Sequence, residues 1–203
     1  MSQVVPGFTI MFAFFLLGNI GFVFFREHDW GTWDRLRASA ASVPEIVLGK
    51  CLVPFVVFAG QAALVFAGSM LFFDLRVEGS WLALVTATAS FAAFLVAFGV
   101  AIVGLCSNLL QVTAVSNLAA PVLSALGGAL VPVYQLPAWA QLVAPLSPAY
   151  WAKEGMRCGM AGGCSAPEVT TAVLALWLIT AAALVVVAIT FRRTALARTS
   201  MAA

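Results

Sequence analysis

The sequence is dominated by apolar runs of about twenty residues or more that contain no charge. A helix needs about 20 apolar residues to cross the roughly 30 Å of hydrocarbon in a bilayer. Lipid offers nothing to an unpaired backbone amide, so each run must be helical inside the membrane. The composition agrees, because 63% of the residues are hydrophobic and only 9% are charged, against about 25% charged in soluble domains. We therefore expect an all-α, polytopic membrane helix bundle.

Five transmembrane helices are predicted, at about residues 5–25, 50–73, 81–105, 113–132 and 168–191. Only two charged residues, Lys50 and Glu168, fall within these ranges, and both lie at span ends. Lys50 is expected to extend its ammonium into the headgroup layer while its methylenes stay in hydrocarbon. The stretch 133–166 is too rich in prolines and charges to form a sixth span.

The distribution of Lys and Arg predicts the orientation, since positive residues near span ends are retained in the cytoplasm. With the N-terminus outside, the outer segments hold three such residues, Arg76, Lys153 and Arg157. We therefore predict a multi-pass protein of the cell membrane with an outer N-terminus and a cytoplasmic C-terminus. The cytoplasmic segments then hold seven: Arg26, Arg35, Arg37, Lys50, Arg192, Arg193 and Arg198.

The segment between the first two spans is amphipathic. Trp33, Leu36, Ala40, Val43 and Val47 recur at steps of three and four, which places them on one apolar stripe of a helix with charges opposite. Such a helix either lies in the membrane interface or docks against a partner. The residue pattern alone favours the interfacial connector.

Two sequence motifs predict where the second and fifth spans begin. Ser42-Val43-Pro44-Glu45 and Ser165-Ala166-Pro167-Glu168 both have the form of a capping box with proline in the first turn. They are structural signals and imply no chemistry.

Further motifs follow one another in a characteristic order: Pro6-Gly7 opens the first span, and Phe24-Phe25-Arg26-Glu27 ends it. Next come Gly31-Thr32-Trp33-Asp34-Arg35-Leu36-Arg37-Ala38-Ser39 and Glu45-Ile46-Val47-Leu48-Gly49-Lys50. Pro132-Val133-Tyr134-Gln135-Leu136-Pro137-Ala138-Trp139 and Leu146-Ser147-Pro148-Ala149-Tyr150-Trp151 precede the last span. This order resembles the ABC-2 type permeases, the membrane subunits of ATP-driven exporters.

The resemblance implies two functional segments, a separate ABC ATP-binding subunit, and a second permease copy as homo- or heterodimer. A coupling helix at about 27–41 would dock on the ATP-binding subunit, and re-entrant helices within 133–166 would close the outer end of the path. With the resemblance, docking becomes the favoured interpretation of the amphipathic segment. The implied coupling residues are Glu27, Gly31, Thr32, Trp33, Asp34, Arg35 and Leu36, and the implied outer gate residues are Pro132, Pro137, Trp139, Pro145, Pro148 and Tyr150.

The chain departs from the family pattern at its beginning. The family's first span, with the amphipathic helix before it, is missing, so the five predicted spans match its second through sixth. Whether the sequence is complete or lacks an upstream span stays open.

The sequence contains no recognisable catalytic motif, so ATP hydrolysis is assigned to a partner subunit. Gly49-Lys50-Cys51 lacks the other glycine and the Ser or Thr of a phosphate-binding loop. His28 has no second imidazole or cysteine nearby, which argues against a metal site. We expect no cofactor, no metal and no nucleic acid to bind.

Cysteines and glycines mark the segment before the last span. Cys158 and Cys164 are the one pair expected in oxidising surroundings. Their spacing leaves open whether they form a disulfide. Gly155 and Gly159 are expected at turns or close helix contacts.

Few polar residues occur inside the spans. Ser116, Asn117 and Ser124 form the densest group, and Gln61 lies in the second span. In lipid such side chains face other helices or a cavity. Hydrogen bonds between helices are favoured here over substrate contacts.

Two functional hypotheses follow. The first is the permease of an ATP-driven exporter for amphipathic or hydrophobic cargo (drug-like, lipid or lipid-linked), because a path lined by Phe, Leu and Val suits such molecules better than ions. The second is a membrane scaffold or assembly protein without transport, or an inactive permease fragment.

Overall fold

The computed structural model describes residues 4–29, 43–74, 77–129, 131–161 and 163–200. For residues 26–29, 43–44, 47 and 191–200 only the backbone is described. The described chain is helical and contains no strand. Its helices are α1 (Val4–Phe14), α2 (Leu16–Asp29), α3 (Val43–Phe73), α4 (Trp81–Leu105), α5 (Leu109–Leu126), α6 (Ala138–Val143), α7 (Pro148–Ala161) and α8 (Ala166–Ser200).

Five stretches of the described chain are long and apolar enough to cross a membrane. They are Val4–Phe25, Leu48–Phe73, Trp81–Leu105, Leu109–Leu126 and Ala166–Thr190. The predicted all-α bundle with five spans is confirmed.

The fourth span begins and ends earlier than the predicted range 113–132. Asn108 caps its start, since the side-chain oxygen of Asn108 accepts the backbone N–H of Gln111 at 2.8 Å. Gly127 caps its end, and Gly128 follows with φ +73°, in the left-handed region that favours glycine. The apolar residues after Gly128 therefore lie outside the helix.

The first span is broken at Phe15. The backbone N–H of Phe15 donates to the carbonyl of Phe12, three residues back, at 3.2 Å. An α-helix pairs each N–H with the carbonyl four residues back, so the ladder is interrupted here and the span divides into α1 and α2. No proline lies beside Phe15 in the sequence, so the break was not predicted.

The core is centred on α4, which packs against α8, α7, α2 and α3. The buried ring of Phe91 lies edge-on to the rings of Phe14 and Phe58, with centroids 5.6 and 5.9 Å away, and is stacked on Phe94 at 6.0 Å. Such aromatic pairs add about 0.5–1.5 kcal/mol each beyond the area that they bury. The cluster therefore joins the first three spans around one ring.

The alternating directions of the spans define two membrane faces. The loop face comprises residues 74, 77–80, 127–129, 131–161 and 163–165, and the opposite face comprises residues 26–29, 43–47, 106–108 and the end of α8. The backbone N–H of Glu78 donates to the carbonyl of Met160 at 3.0 Å, which joins two segments of the loop face directly.

Lys50 lies near the start of the second span, with its side chain enclosed by the bundle. Its side chain is 7% exposed, and the ammonium lies 4.8 Å from the centroid of the Phe24 ring. The apolar stem does lie in the bundle, but the charge faces an aromatic ring on α2 in a cation–π arrangement. Lys50 therefore connects the first and second spans.

Candidate functional site

Most of the expected coupling residues lie outside the described part of the chain. These are Gly31, Thr32, Trp33, Asp34, Arg35 and Leu36, within the undescribed residues 30–42. The backbone of Glu27 belongs to the last turns of α2. What the structure does show is the pair of helices on either side, because α2 ends at Asp29 and α3 begins at Val43.

The expected gate residues lie along a series of short elements on the loop face. Pro132 and Pro137 precede a 3-10 turn at Val133–Gln135 and helix α6, respectively. Pro145 lies in a second 3-10 turn, Ala144–Leu146, and its carbonyl accepts the indole N–H of Trp151 at 2.7 Å. Trp139 is largely exposed. Pro148 is buried and opens α7. The ring of Tyr150 lies edge-on to that of Trp151, with the two ring centroids 5.1 Å apart.

Helix α7 packs into the bundle through its glycines. A Cβ on Gly159 would lie 2.6 Å from the backbone nitrogen of Leu84, and one on Gly155 would lie 2.8 Å from the Cβ of Ala87. Both distances are too short for a side chain, so the α7 backbone lies directly against the start of α4. The predicted close helix contacts of Gly155 and Gly159 are confirmed.

The buried amine of Lys153 joins α7 to the end of α5. The side chain is 5% exposed, and its ammonium donates to the carbonyl of Gly128. Burial lowers the pKa of Lys153 below its usual value, while neighbouring Glu154 opposes that shift and Arg157 adds to it. A positive charge at a helix C-terminus also interacts favourably with the helix dipole of α5.

Cys158 and Cys164 form a disulfide, which resolves the question that their spacing left open. The bond joins the end of α7 to the turn before α8, with the two Cα atoms 5.4 Å apart. The carboxylate of Glu168 lies nearby but accepts the backbone N–H of Ser165 at 3.1 Å, as the predicted capping box requires. With the two sulfurs bonded to each other, this cluster offers no thiolate to a metal ion.

The polar residues of the spans do not form the expected network. Ser116 and Ser124 are buried on α5, and their hydroxyls have no hydrogen-bond partner in the described part of the chain. Asn117 faces outward from the same helix, and Gln61 is half-buried on α3. Ser116, Asn117 and Ser124 thus lie on one helix, and no hydrogen bond connects their side chains within the described residues.

A row of phenylalanines on the first span was not identified from the sequence. Phe8, Phe12 and Phe15 are each about half exposed, and successive ring centroids lie 6.2 and 6.4 Å apart. Their spacing of four and three residues could have identified one helix face. Because they all lie within an apolar run, hydropathy alone did not separate them from buried residues.

Comparison with known proteins identifies the family. A family model described as ABC-2 type transporter matches residues 1–161. No curated protein and no solved structure matches the chain. The match covers most of the chain, and the structure shows the membrane helix bundle that such a subunit requires. The chain therefore belongs to the ABC-2 type transporter family, as a multi-pass membrane permease.

Proposed function

We propose that this chain is the permease of an ABC exporter, which moves an amphipathic or hydrophobic substrate out of the cell. A separate ATP-binding subunit drives it, and a second permease copy, identical or related, completes the path. The observation that carries the proposal is the position of Asn117, an exposed carboxamide in the middle of a membrane span.

Asn117 lies roughly 12 to 14 Å along the helix axis from each end of α5. Its side chain makes no hydrogen bond within the described residues. An amide that faces hydrocarbon without a partner costs several kcal/mol. The outward face of α5 is therefore better suited to another protein chain or to a water-containing path than to lipid.

The surroundings of Asn117 favour apolar cargo. Leu110, Leu118 and Val122 are exposed on the same helix. The hydroxyl of Thr113 donates to the carbonyl of Leu109 at 2.9 Å and is thus already paired. The exposed part of α5 therefore combines the amide of Asn117 with aliphatic side chains, which suits an amphipathic or lipid-like molecule rather than an ion.

The helices beside residues 30–42 support a coupling role for that segment. α2 continues past the span end at Phe25 to Asp29, and α3 begins at Val43, before the span start at Leu48. Both helices therefore extend beyond the membrane-spanning region toward the same segment. A partner that moves residues 30–42 would move the second span through α3 and the adjoining half of the first span through α2. Glu27, Trp33, Arg35 and Leu36 would lie in the contact.

The loop face is proposed to be the outer face. In the predicted topology, seven of the ten Lys and Arg residues belong to the segments on the opposite side of the membrane, which is the cytoplasmic pattern. The disulfide between Cys158 and Cys164 lies on the loop face, and disulfides persist in oxidising compartments. In this orientation residues 133–161, with the proposed gate residues, close the outer end of the path.

Asn117→Cys tests the path, in a variant whose free cysteines, Cys51 and Cys106, are replaced by alanine. We expect labelling by a water-soluble thiol reagent or a crosslink to the second permease. Leu178→Cys, on an exposed part of α8, is the matched control and should show neither. Labelling of Asn117→Cys by lipid-soluble reagents alone would contradict the proposed path.

Coupling is tested by co-purification and by ATP-dependent transport of fluorescent lipid and drug-like dyes in vesicles. The complex is formed with a candidate ABC ATP-binding subunit from the same organism. Leu36→Asp should weaken binding to that subunit and abolish transport, because it places a charge on the apolar face. Arg198→Asp is the control. Normal complex formation without transport of any dye by the unaltered protein would favour the scaffold hypothesis.

A further inference from the structure

A groove of about 480 Å³ runs between α3 and α4 on the surface of the spanning region. Its floor is formed by buried apolar side chains, Phe58, Ala62, Phe66, Leu84 and Ala92. Its rim is formed by exposed alanines, which leave the floor open to the side: Ala59, Ala63, Ala67 and Ala89. The groove does not involve Asn117, so a ligand bound in it is independent of the proposed transport path.

The shape of the groove matches a single extended hydrocarbon chain. On α3 its lining runs from Phe55 to Met70, a distance of roughly 22 Å along the helix axis. The groove volume is the space open to the centre of a water-sized sphere, so spread over that length it gives a path about 5 Å across for atom centres. Carbon atoms pack at about 3.5–4.0 Å, so one methylene chain fits. A helix, at about 10–12 Å across, is too wide to enter.

The position of the groove matches the lipids of one leaflet. One end lies at Met70 and Trp81, where α3 ends and α4 begins on the loop face. The other end lies at Phe55 and Ala92, and Ala92 lies roughly 16 Å along α4 from Trp81, close to the roughly 15 Å of one leaflet. Trp81 is exposed at the shallow end, and tryptophan is enriched at the headgroup level of membranes.

The chemistry of the lining excludes a polar ligand. Below Trp81, whose indole N–H lies at the shallow end, Thr88 alone among the lining residues carries a polar side chain, and its hydroxyl donates to the carbonyl of Leu84 at 2.7 Å. The deeper lining therefore leaves no free donor or acceptor, so this part of the groove can select only an apolar chain of suitable width and length. Phospholipid chains surround this surface in any bilayer.

We propose that the groove between α3 and α4 binds one acyl chain of a phospholipid from the leaflet on the loop face. The carbonyl end of the chain lies beside Trp81, and the terminal methyl lies near Phe55. The bound chain fills the seam between two spans and joins them through apolar contacts.

The proposal predicts the depth at which each part of the chain contacts the protein. Two phosphatidylcholines with a diazirine on one chain are compared in vesicles, one labelled near the carbonyl and one at the chain end. Crosslinked peptides are then mapped by mass spectrometry. The first probe should mark Met70 and Trp81, and the second should mark Phe55 and Ala92.

Ala63→Phe fills the groove from its exposed rim and should reduce crosslinking there at least fivefold. Ala182→Phe, on an exposed part of α8, is the control and should leave groove crosslinking unchanged.

The order of crosslinking depths in the unaltered protein decides the question even if Ala63→Phe folds poorly. Crosslinks spread equally over all spans without depth order, or crosslinking undiminished in folded Ala63→Phe, would overturn the proposal. So would efficient disulfide crosslinking of Ala63→Cys to another protein chain, because a helix would then occupy the groove.

Discussion

The ammonium of Lys50 lies 4.8 Å from the centroid of the Phe24 ring, where the first two spans leave the membrane on the face opposite the loop face. Phe24 belongs to α2 and Lys50 to α3, the two helices that residues 30–42 connect. The pair therefore holds the ends of both helices beside the proposed coupling segment. A force applied to that segment would then move α2 and α3 together.

Phe24→Leu should lower the free energy of unfolding by about 0.5–2 kcal/mol, because it keeps an apolar side chain but removes the ring that faces the ammonium. Unfolding in mixed micelles with increasing denaturing detergent measures the change. Phe72→Leu, on a largely exposed part of α3, should have little effect. An equal loss in both variants would mean that the Lys50 contact adds nothing specific.

Gly159→Ala should destabilise the protein by about 1–3 kcal/mol, because a Cβ there would lie 2.6 Å from the backbone of Leu84. Gly60→Ala is the matched control on an exposed part of α3, where a Cβ meets no atom within 4 Å. That change should be neutral or stabilising, since alanine favours helix over glycine by about 1 kcal/mol. Thermal unfolding of both variants measures the two changes in stability. Equal stability of the two variants would contradict the close packing of α7.

Loss of the disulfide should cost about 2 kcal/mol of stability, as expected for a short closed loop. Cys158→Ala with Cys164→Ala tests this against Cys51→Ala with Cys106→Ala, which removes two free cysteines instead.

The same disulfide can be used to test on which side of the membrane the loop face lies. After mild reduction of intact cells, a membrane-impermeant thiol reagent should label Cys164, and labelling only in opened cells would refute the outer position of the loop face.

Because of Lys153, the free energy of unfolding should change with pH in the alkaline range. Burial lowers the pKa of Lys153 in the folded state. Below that pKa the side chain is fully charged, and its charge destabilises the folded protein. As pH rises from there toward the unfolded pKa of about 10.4, the unfolded chain binds more protons than the folded one, and stability increases.

The measurement for Lys153 is the difference in unfolding temperature between wild type and Lys153→Met across the alkaline range. The wild type should gain stability relative to the variant as pH rises. A difference that stays constant with pH would show that the folded pKa is not lowered.

The sequence alone determined the class of fold and the approximate spans. The hydropathy and the length of a segment can be read from that segment alone, and a single segment that crosses hydrocarbon must be helical to pair its backbone groups. The capping box at Ser165 and Glu168 was predictable for the same reason, since it involves neighbours within four residues. The fourth span was displaced because Asn108 and Gly127 set its ends more strongly than the apolar residues after Gly128.

The tertiary structure decided which residues within those helices meet one another. The sequence placed Gly159 at a turn or a close helix contact without naming its partner, and the structure shows that it lies against the backbone of α4, whereas Gly60 meets open space. Lys153 is buried and Asn117 is exposed, the reverse of what the polarity of a charged and an uncharged side chain suggests. Burial, close approach and the groove beside Ala63 depend on how separate helices pack, and the pattern along one helix does not contain that information.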